Sequence, residues 1–283
     1  MKTALILEGG GMRGLYTAGV LDVLMENNIE TDVACGVSAG ALFGINYKSK
    51  QPGRVLRYNL KYAGNSENLG VRQLLKTGNL MSKQFYFDDL PFKLDVMDTE
   101  TYRNNKTDFH AVVTNLLTGQ PEYKSIYDLE NEDCMEYLRA SGSLPFVSKP
   151  VFVKDIPYLD GGIADSIPVK RYIEDGFDKI IVILTKHHCI KNNNKIHGTN
   201  FFYKKYPEFA NTLKNRNTDY IKQYNYVKQL ENEGRIIVIQ PSLHLNVKTT
   251  EKNKELIQKL YELGVNDCNK KIQDIKKYLE ESL

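Results

Sequence analysis

Residues 3–40 read TALILEGGGMRGLYTAGVLDVLMENNIETDVACGVSAG, and this stretch alternates strand and helix patterns. The apolar run Thr3–Leu7 has the length of a buried strand, a glycine-rich loop at residues 9–14 follows it, and apolar residues at helical spacing run from 15 to 24. A second strand is predicted over Thr31–Cys35, followed by more glycines and a second helical pattern. Strand, loop and helix repeated in this way are typical of a βαβ unit.

The rest of the chain continues this alternation with one polar interruption. Residues 48–106 are rich in Lys, Asn and Gln, and we interpret them as an insertion beside the sheet. The patterns predict further strands near 109–117, 122–126, 180–184 and 236–239, and helices over 128–140, 209–233 and 250–283, the last broken at Gly264. We therefore expect a three-layer α/β/α fold with a central, mostly parallel sheet.

Composition excludes several protein classes. The 283 residues are 41% hydrophobic, and a formal charge of +3 is too small for a general nucleic-acid binder. No run approaches the roughly 18 apolar residues of a transmembrane helix, and the apolar run before Glu8 is too short for a signal peptide. The cysteines, at positions 35, 134, 189 and 268, match no metal-binding or disulfide spacing. We expect free thiols in a cytoplasmic protein with neither metal nor cofactor.

The glycine loop Gly9-Gly10-Gly11-Met12-Arg13-Gly14 follows a strand and begins a helix. Backbone N–H groups converge in such a loop, and the positive end of the helix dipole favours an anion. Two anions fit: the pyrophosphate of a dinucleotide, because the glycine spacing satisfies that fingerprint, and the oxyanion of a tetrahedral acyl intermediate.

The second loop, Gly36-Val37-Ser38-Ala39-Gly40, favours the oxyanion. Its glycines allow the sharp strand-to-helix turn that exposes a nucleophilic serine, and the N–H of Ala39 is placed to donate to an oxyanion. A dinucleotide site would instead need an acidic residue at the end of the second strand, whereas Asp32 lies at its beginning. Parallel neighbouring strands bring both loops to one edge, with Gly10 and Gly11 facing Ser38 and Arg13 adding a positive charge.

A serine nucleophile needs a general base, and the sequence offers two kinds. His187 and His188 follow a predicted strand and come after Asp160, which is the order of Ser, Asp and His in α/β-hydrolases. The histidines lie in a polar Lys/Asn loop, whereas Asp160 stands in the tight motif Asp160-Gly161-Gly162, whose small residues let a carboxylate approach closely. An ordinary aspartate, with a pKa near 3.9, is too acidic for an efficient base, and the sequence shows nothing that would raise it.

The two loops, the stretch Ala140-Ser141-Gly142-Ser143-Leu144-Pro145-Phe146 and the Asp160 motif together resemble the patatin-like phospholipases, specifically the compact bacterial type. The resemblance covers about the first 170 residues. It implies a lipid acyl hydrolase that forms an acyl-enzyme through a Ser-Asp dyad, with a catalytic domain over 1–185 and a helical C-terminal extension over 186–283 packed on the same domain. One departure is visible: the family often has Asn-x-Pro after the aspartate motif, where this chain has Ser166-Ile167-Pro168.

The resemblance assigns a role to each motif residue. It makes Ser38 the nucleophile and Asp160 the general base. The remaining site residues are Gly9, Gly10, Gly11, Arg13, Gly14 and Ala39 in the glycine loop and oxyanion hole, Gly36 and Gly40 at the nucleophile, and Gly161 and Gly162 after the aspartate. The alternatives are a Ser-His-Asp triad that uses His187 or His188, and a dinucleotide- or phosphate-binding module.

Charge is unevenly distributed along the chain. Residues 186–228 contain nine Lys and Arg against Glu208 and Asp219, a net +7, interleaved with five Phe and Tyr at positions 201–209. A basic segment with aromatics can lie on an anionic membrane surface. We therefore expect a lipid acyl ester as the substrate, and peripheral contact with an anionic membrane through this segment.

Overall fold

A single mixed sheet organises the protein in the computed structural model, which describes residues 1–188 and 195–280. Cys189 and Lys191, which belong to the predictions on free thiols and on the basic segment, lie outside the described residues. The strands are β1 Thr3–Leu7, β2 Val33–Val37, β3 Asp108–Asn115, β4 Pro121–Ser125, β5 Val151–Val153, β6 Ile156–Asp160, β7 Lys179–Ile183 and β8 Ile236–Ile239.

Each strand is hydrogen-bonded to the next along the path β5-β6-β3-β2-β1-β7-β8, and β4 also pairs with β3. Strands β3, β2, β1, β7 and β8 are parallel to one another. Strands β4 and β6 run antiparallel to β3, and β5 runs antiparallel to β6. The prediction of a mostly parallel sheet is confirmed.

The helices of the described residues cover both faces of this sheet. Their bounds are α1 Gly14–Glu26, α2 Ala39–Lys48, α3 Arg54–Tyr62, α4 Val71–Thr77, α5 Thr99–Asn104, α6 Glu132–Ser141, α7 Val169–Glu174, α8 Thr199–Phe202, α9 Pro207–Asn232 and α10 Lys254–Glu280, with a π-helical segment at Gln84–Leu94. Because side chains alternate along a strand, Leu5 and Leu7 of β1 pack into the cluster with α1, α2 and α10. Ala4 and Ile6 pack into the cluster with α7 and α9. This is the expected three-layer α/β/α arrangement.

The predicted break at Gly264 is wrong, since α10 runs without interruption from Lys254 to Glu280. Gly264 is instead a packing position, where an added Cβ would lie 2.1 Å from the carbonyl oxygen of Tyr16 on α1. Gly19 makes the reciprocal contact, because its Cβ would lie 2.2 Å from the carbonyl oxygen of Tyr261 on α10. The two glycines let the helix backbones approach closely, and that contact outweighs the low helix propensity of glycine.

Two predicted boundaries move by a few residues. The second strand is Val33–Val37, two residues later than predicted, so it ends directly before Ser38. Helix α6 begins at Glu132, because the Asn131 side chain caps it by accepting a hydrogen bond from the N–H of Cys134. Residues 48–106 contain α3, α4, the π-helical segment and α5 but no named strand. The division of the chain at residue 185 stays a prediction, and the sheet includes β8 from beyond it.

Candidate active site

Ser38 and Asp160 meet because two strands share one edge of β3. Val112 of β3 pairs with Val37 at the end of β2, and the next residue, Val113, pairs with Asp160 at the end of β6. Strand β4 pairs with both valines and therefore occupies the other edge of β3. Strands β2 and β6 run toward each other along the same edge of β3. Ser38, which follows Val37, therefore lies at the end of β6, beside Asp160.

The backbone of Ser38 is strained, with φ 55° and ψ −124° between β2 and α2. Such a conformation costs of order 1–3 kcal/mol and persists where the surrounding structure holds it. Here the N–H of Ser38 donates a 2.9 Å hydrogen bond to Oγ of Ser141 at the end of α6. Gly40 lies so close to β1 that an added Cβ would be 2.4 Å from the carbonyl oxygen of Leu7. The turn places Ser38 at the N-terminus of α2, where the helix dipole favours negative charge.

Asp160 is buried, with 3% of its surface exposed. Burial raises the pKa of its carboxyl above the ordinary value, while hydrogen bonding from Ser38, the Gly162 N–H and the positive charge of Arg216 act in the opposite direction. The Gly162 N–H donates to Oδ1 at 2.8 Å, whereas Oδ2 is buried without a well-aligned hydrogen-bond partner among the described residues. The structure thus supplies what the sequence did not show, a means of making this carboxylate more basic.

The backbone around Asp160 is held on both sides. Its N–H donates to the carbonyl oxygen of Ser143 at 2.9 Å, and its own carbonyl oxygen accepts from Oγ1 of Thr114 at 2.8 Å. On the far side, the carbonyl oxygen of Gly162 accepts from Oγ of Ser166 at 2.8 Å and from Nε of Arg216 at 2.7 Å. Ser166, which stands where the family often has Asn, therefore supports the aspartate loop through its hydroxyl.

The glycine loop lies against Ser38. An added Cβ on Gly9 would be 2.8 Å from Cβ of Ser38, so only glycine allows this approach. Among residues 1–188 and 195–280 we find no acceptor for the N–H groups of Gly10, Gly11 and Ala39. Gly10 and Gly11 line the cavity at Ser38, and Ala39 begins α2 beside it. These donors are available to an anion.

A buried network fixes the position of this loop. Glu8 is 2% exposed, and its carboxylate accepts from the N–H and Oγ1 of Thr185 at 2.6 and 3.0 Å and from the Tyr220 hydroxyl at 2.8 Å. Oγ1 of Thr185 also lies 2.9 Å from the carbonyl oxygen of Gly9. Tyr220 belongs to α9, so the C-terminal part of the chain contributes to the site.

The other predicted residues take structural places. Gly14 begins α1 and packs against Phe43, while Gly36 lies within β2 against the backbone of Ala41. Gly161 lies over the backbone of Val112, with an added Cβ 2.2 Å from its carbonyl oxygen.

Two cavities meet at Ser38. One, of about 140 Å³, is lined mostly by apolar side chains of α2, the 48–106 segment and α6. The other, of about 320 Å³, contains Asp160 and the glycine loop. Its basic side chains are Arg13, Lys186 and Arg216. Ser38, Gly11, Leu144 and Thr249 line both cavities.

The histidines and Asp32 lie elsewhere. A ring nitrogen of His187, Nδ1, lies 2.7 Å from the carbonyl oxygen of Pro241, and neither His187 nor His188 lines either cavity. Asp32 accepts hydrogen bonds from the N–H and Oγ1 of Thr3. Both residues lie at the N-terminal ends of β1 and β2, away from Ser38. Within the described residues, no group of three or more His, Cys, Asp or Glu has a metal-binding arrangement.

Sequence reasoning missed Ser141 and Arg216 as individual residues. Ser141 lies in the stretch at 140–146, which carries part of the family resemblance but no local pattern that points to a role for this hydroxyl. No local pattern indicates a role for Arg216, because it is one of several basic residues on the polar helix α9. Only tertiary packing brings it to Gly162.

Comparison with known proteins adds family information. The sequence profile of the patatin-like phospholipases matches residues 5–173, and a domain of unknown function, DUF6363, matches residues 206–280. The chain is 30% identical to the uncharacterized protein YjjU of Escherichia coli, over 65% of this chain and 52% of YjjU. It is 27% identical to triacylglycerol lipase 4 of Saccharomyces cerevisiae, over 61% of this chain and 23% of the lipase. The chain thus spans about half or less of the length of these relatives. The crystal structure of VipD from Legionella pneumophila superposes with a TM-score of 0.47 and 13% identity, covering 98% of this chain and 67% of VipD.

Proposed function

Because this chain belongs to the patatin-like phospholipase family, we propose that it hydrolyses acyl esters of lipids with Ser38 as nucleophile and Asp160 as general base. The observation that carries the proposal is the position of Ser38, beside a buried carboxylate and at the junction of an apolar and a polar cavity. An amphipathic ester has the same two-sided character. Relatives named as lipases, such as the yeast triacylglycerol lipase 4, support a lipid ester as the substrate.

In the first half-reaction, Oγ of Ser38 attacks the ester carbonyl carbon and its proton passes to the Asp160 carboxylate. Oδ2 of Asp160, which has no aligned partner among the described groups, is the acceptor, and the hydrogen bond tightens when substrate excludes water. The raised pKa of Asp160 makes it a stronger base than an ordinary aspartate. Negative charge develops on the carbonyl oxygen, where the N–H groups of Gly10, Gly11 and Ala39 receive it.

Collapse of the tetrahedral intermediate breaks the bond to the alcohol, which leaves with the proton from Asp160. The acyl group remains on Ser38 as an ester. Asp160, again a carboxylate, removes a proton from water, which attacks the acyl carbon. A second tetrahedral intermediate collapses to release the fatty acid, and the proton returns to Oγ of Ser38.

The two cavities divide the substrate. The apolar cavity takes the acyl chain, because its lining includes side chains such as Leu42, Leu80 and Met135. The polar cavity takes the alcohol part, with the charges of Arg13, Lys186 and Arg216 favouring an anionic group there.

Fluorophosphonate labelling followed by peptide mapping tests the proposal. We expect a covalent adduct on Ser38 in the wild type, none in Ser38→Ala, and strongly slowed labelling in Asp160→Asn. Labelling that survives in Ser38→Ala would disprove the nucleophile. Replacing His187 and His188 distinguishes the dyad from a triad, since the dyad predicts near wild-type labelling, and nicotinamide or flavin binding unaffected by Ser38→Ala would support the dinucleotide alternative.

We also propose a cytoplasmic enzyme that contacts membranes peripherally. Cys35, Cys134 and Cys268 are free and buried, as is common in a reducing compartment. Within the described part of the chain, no helix is both long and apolar enough to cross a membrane. Contact with an anionic membrane through residues 186–228 follows from the charge of that segment.

A further inference from the structure

Five large hydrophobic side chains are exposed on segments that border the two cavities. Leu75 and Phe201 are 84% and 83% exposed, and the other three are Val71, Phe146 and Phe202. Clustered exposed apolar side chains beside a cavity point to an interaction site.

The aromatic side of this surface is built at the polar cavity. The Phe146 ring contacts the Phe202 ring at a centroid distance of 5.3 Å, and Phe202 contacts Phe201 at 5.4 Å. Phe146 itself lines the polar cavity. Its backbone is held at φ 67°, with its N–H donating to the Tyr203 hydroxyl at 2.9 Å. A phenylalanine held in this strained conformation and left 44% exposed is consistent with a functional role rather than with core packing.

The aliphatic side is built at the apolar cavity. Leu69 and Leu80 line that cavity, and the hydrogen bond from the Gly70 N–H to the Leu80 carbonyl oxygen closes the segment that carries α4 between them. Val71 and Leu75 are four residues apart and therefore share one face of α4, and both are exposed. The Leu80 N–H in turn donates to the carbonyl oxygen of Val147, the residue after Phe146, at 2.8 Å. This backbone hydrogen bond joins the two sides.

Lysines surround this surface. Lys76 on α4, Lys149 beside it, and Lys204 and Lys205 after α8 are exposed, and none has an ion-pair partner among the described residues. The Lys149 N–H is bound to Oδ1 of Asn79 at 2.9 Å, which fixes this part of the loop against the α4 segment. Unpaired lysines around an apolar patch are complementary to anionic headgroups around acyl chains.

We propose that these five hydrophobic residues and four lysines, the docking surface, place the protein on an anionic phospholipid bilayer with the openings of both cavities toward the lipid. The inference rests on the proposed function, because an enzyme that hydrolyses lipid esters must take its substrate from the bilayer into the apolar cavity. It extends the contact expected for residues 186–228 to α4 and Phe146. A bilayer accounts for the surface better than a protein partner, because the apolar patch borders a cavity that is itself apolar.

Sedimentation with phospholipid vesicles tests the docking surface. We expect the wild type to bind vesicles that contain phosphatidylglycerol more tightly than vesicles of phosphatidylcholine alone. Leu75→Ser and Phe201→Ser should each weaken binding about tenfold, the loss expected when a single large side chain no longer enters the lipid. Charge reversal at Lys204 and Lys205 should remove the preference for anionic vesicles.

Matched controls lie near the N-terminal end of β3, at the opposite end of the parallel strands from Ser38. Tyr127 is 57% exposed and lies two residues after Ser125, the last residue of β4. Ser125 pairs with His110 near the beginning of β3. Lys106 is exposed just before β3. Tyr127→Ser and Lys106→Glu should leave vesicle binding unchanged, and an unchanged melting temperature would show that each variant is folded.

A second measurement separates this inference from the proposed function. Hydrolysis of a soluble short-chain nitrophenyl ester should be unchanged in Leu75→Ser and Phe201→Ser, whereas Ser38→Ala should bind vesicles normally and hydrolyse nothing. Normal vesicle binding without any ester hydrolysis in the wild type would refute only the proposed function. Absence of vesicle binding, equal losses in the controls, or self-association that Phe201→Ser abolishes would each overturn the docking surface.

Discussion

Arg216 donates a 2.7 Å hydrogen bond from Nε to the carbonyl oxygen of Gly162, and so joins the long helix α9 to the loop that follows Asp160. The same carbonyl oxygen accepts from the Ser166 hydroxyl. The positive charge of Arg216 also lowers the pKa of Asp160, against the larger effect of burial. The part of the chain that matches a domain of unknown function therefore acts on the electrostatics of the proposed general base.

Arg216→Gln should move the acid limb of the pH profile of kcat/KM to higher pH. Removing the positive charge raises the pKa of Asp160, and the base works only as the carboxylate, so a higher pH is needed to reach it. Arg216→Lys keeps the charge and should restore the limb. A profile in which both variants lose rate without moving the limb would contradict an electrostatic role.

Ser141→Ala should lower kcat about fivefold with little change in KM. Its Oγ accepts the hydrogen bond from the Ser38 N–H, and the loss of one such bond is worth about 1 kcal/mol. Ser143→Ala is the matched control, because the Ser143 hydroxyl donates to the carbonyl oxygen of Arg139 on α6. The Asp160 N–H binds the backbone of Ser143, which this change keeps. Steady-state kinetics on a soluble ester measure both, and equal losses in the two variants would refute the positioning role.

Met135→Trp should reduce the hydrolysis of long-chain esters relative to short-chain esters. Met135 lines the apolar cavity, and a larger ring would occupy space that we assign to the acyl chain. The ratio of kcat/KM for nitrophenyl palmitate and nitrophenyl butyrate is the measurement, with the short ester as the internal control. An unchanged ratio would place the acyl chain elsewhere.

Gly264→Ala should destabilise the protein by about 1–3 kcal/mol, the usual cost of overpacking. An added Cβ would lie 2.1 Å from the carbonyl oxygen of Tyr16, so α1 and α10 must separate. Asn269→Ala, at an exposed position of the same helix, should stay within about 0.5 kcal/mol. Denaturant unfolding measures both, and equal effects would remove the close helix contact as the cause.

Asp165 should make stability depend on pH. Burial raises the pKa of its carboxyl to about 6 in the folded protein, above the unfolded value near 3.9. The raised pKa contributes stability that is fully present when the pH is below the pKa of the unfolded chain. This contribution is lost as the pH rises through about 6, the pKa in the folded protein.

Asp165→Asn removes this titration. The free energy of unfolding of the wild type should therefore fall by about 3 kcal/mol relative to Asp165→Asn between pH 3 and pH 8. In the folded protein Asp165 accepts a hydrogen bond from the Tyr123 hydroxyl at 2.6 Å. Parallel pH profiles of the two proteins would show that Asp165 does not titrate in this range.

Local sequence determined the main elements of this protein. Apolar runs of strand length and stripes of helical spacing identified β1, β8 and the layers around the sheet, because burial on one or both faces leaves a periodic record in the chain. The glycine loop and Ser38 were likewise readable, since a strained turn and a close backbone approach each demand particular small residues at fixed offsets.

Tertiary structure alone decided how those elements meet. Only the shared edge of β3 brings Asp160 to Ser38, and only packing of α9 brings Arg216 to Gly162. The continuity of α10 through Gly264 depends on a contact with Tyr16. The raised pKa of Asp160 depends on burial by distant segments. Such properties arise from contacts between residues far apart in the chain, and no local pattern records them.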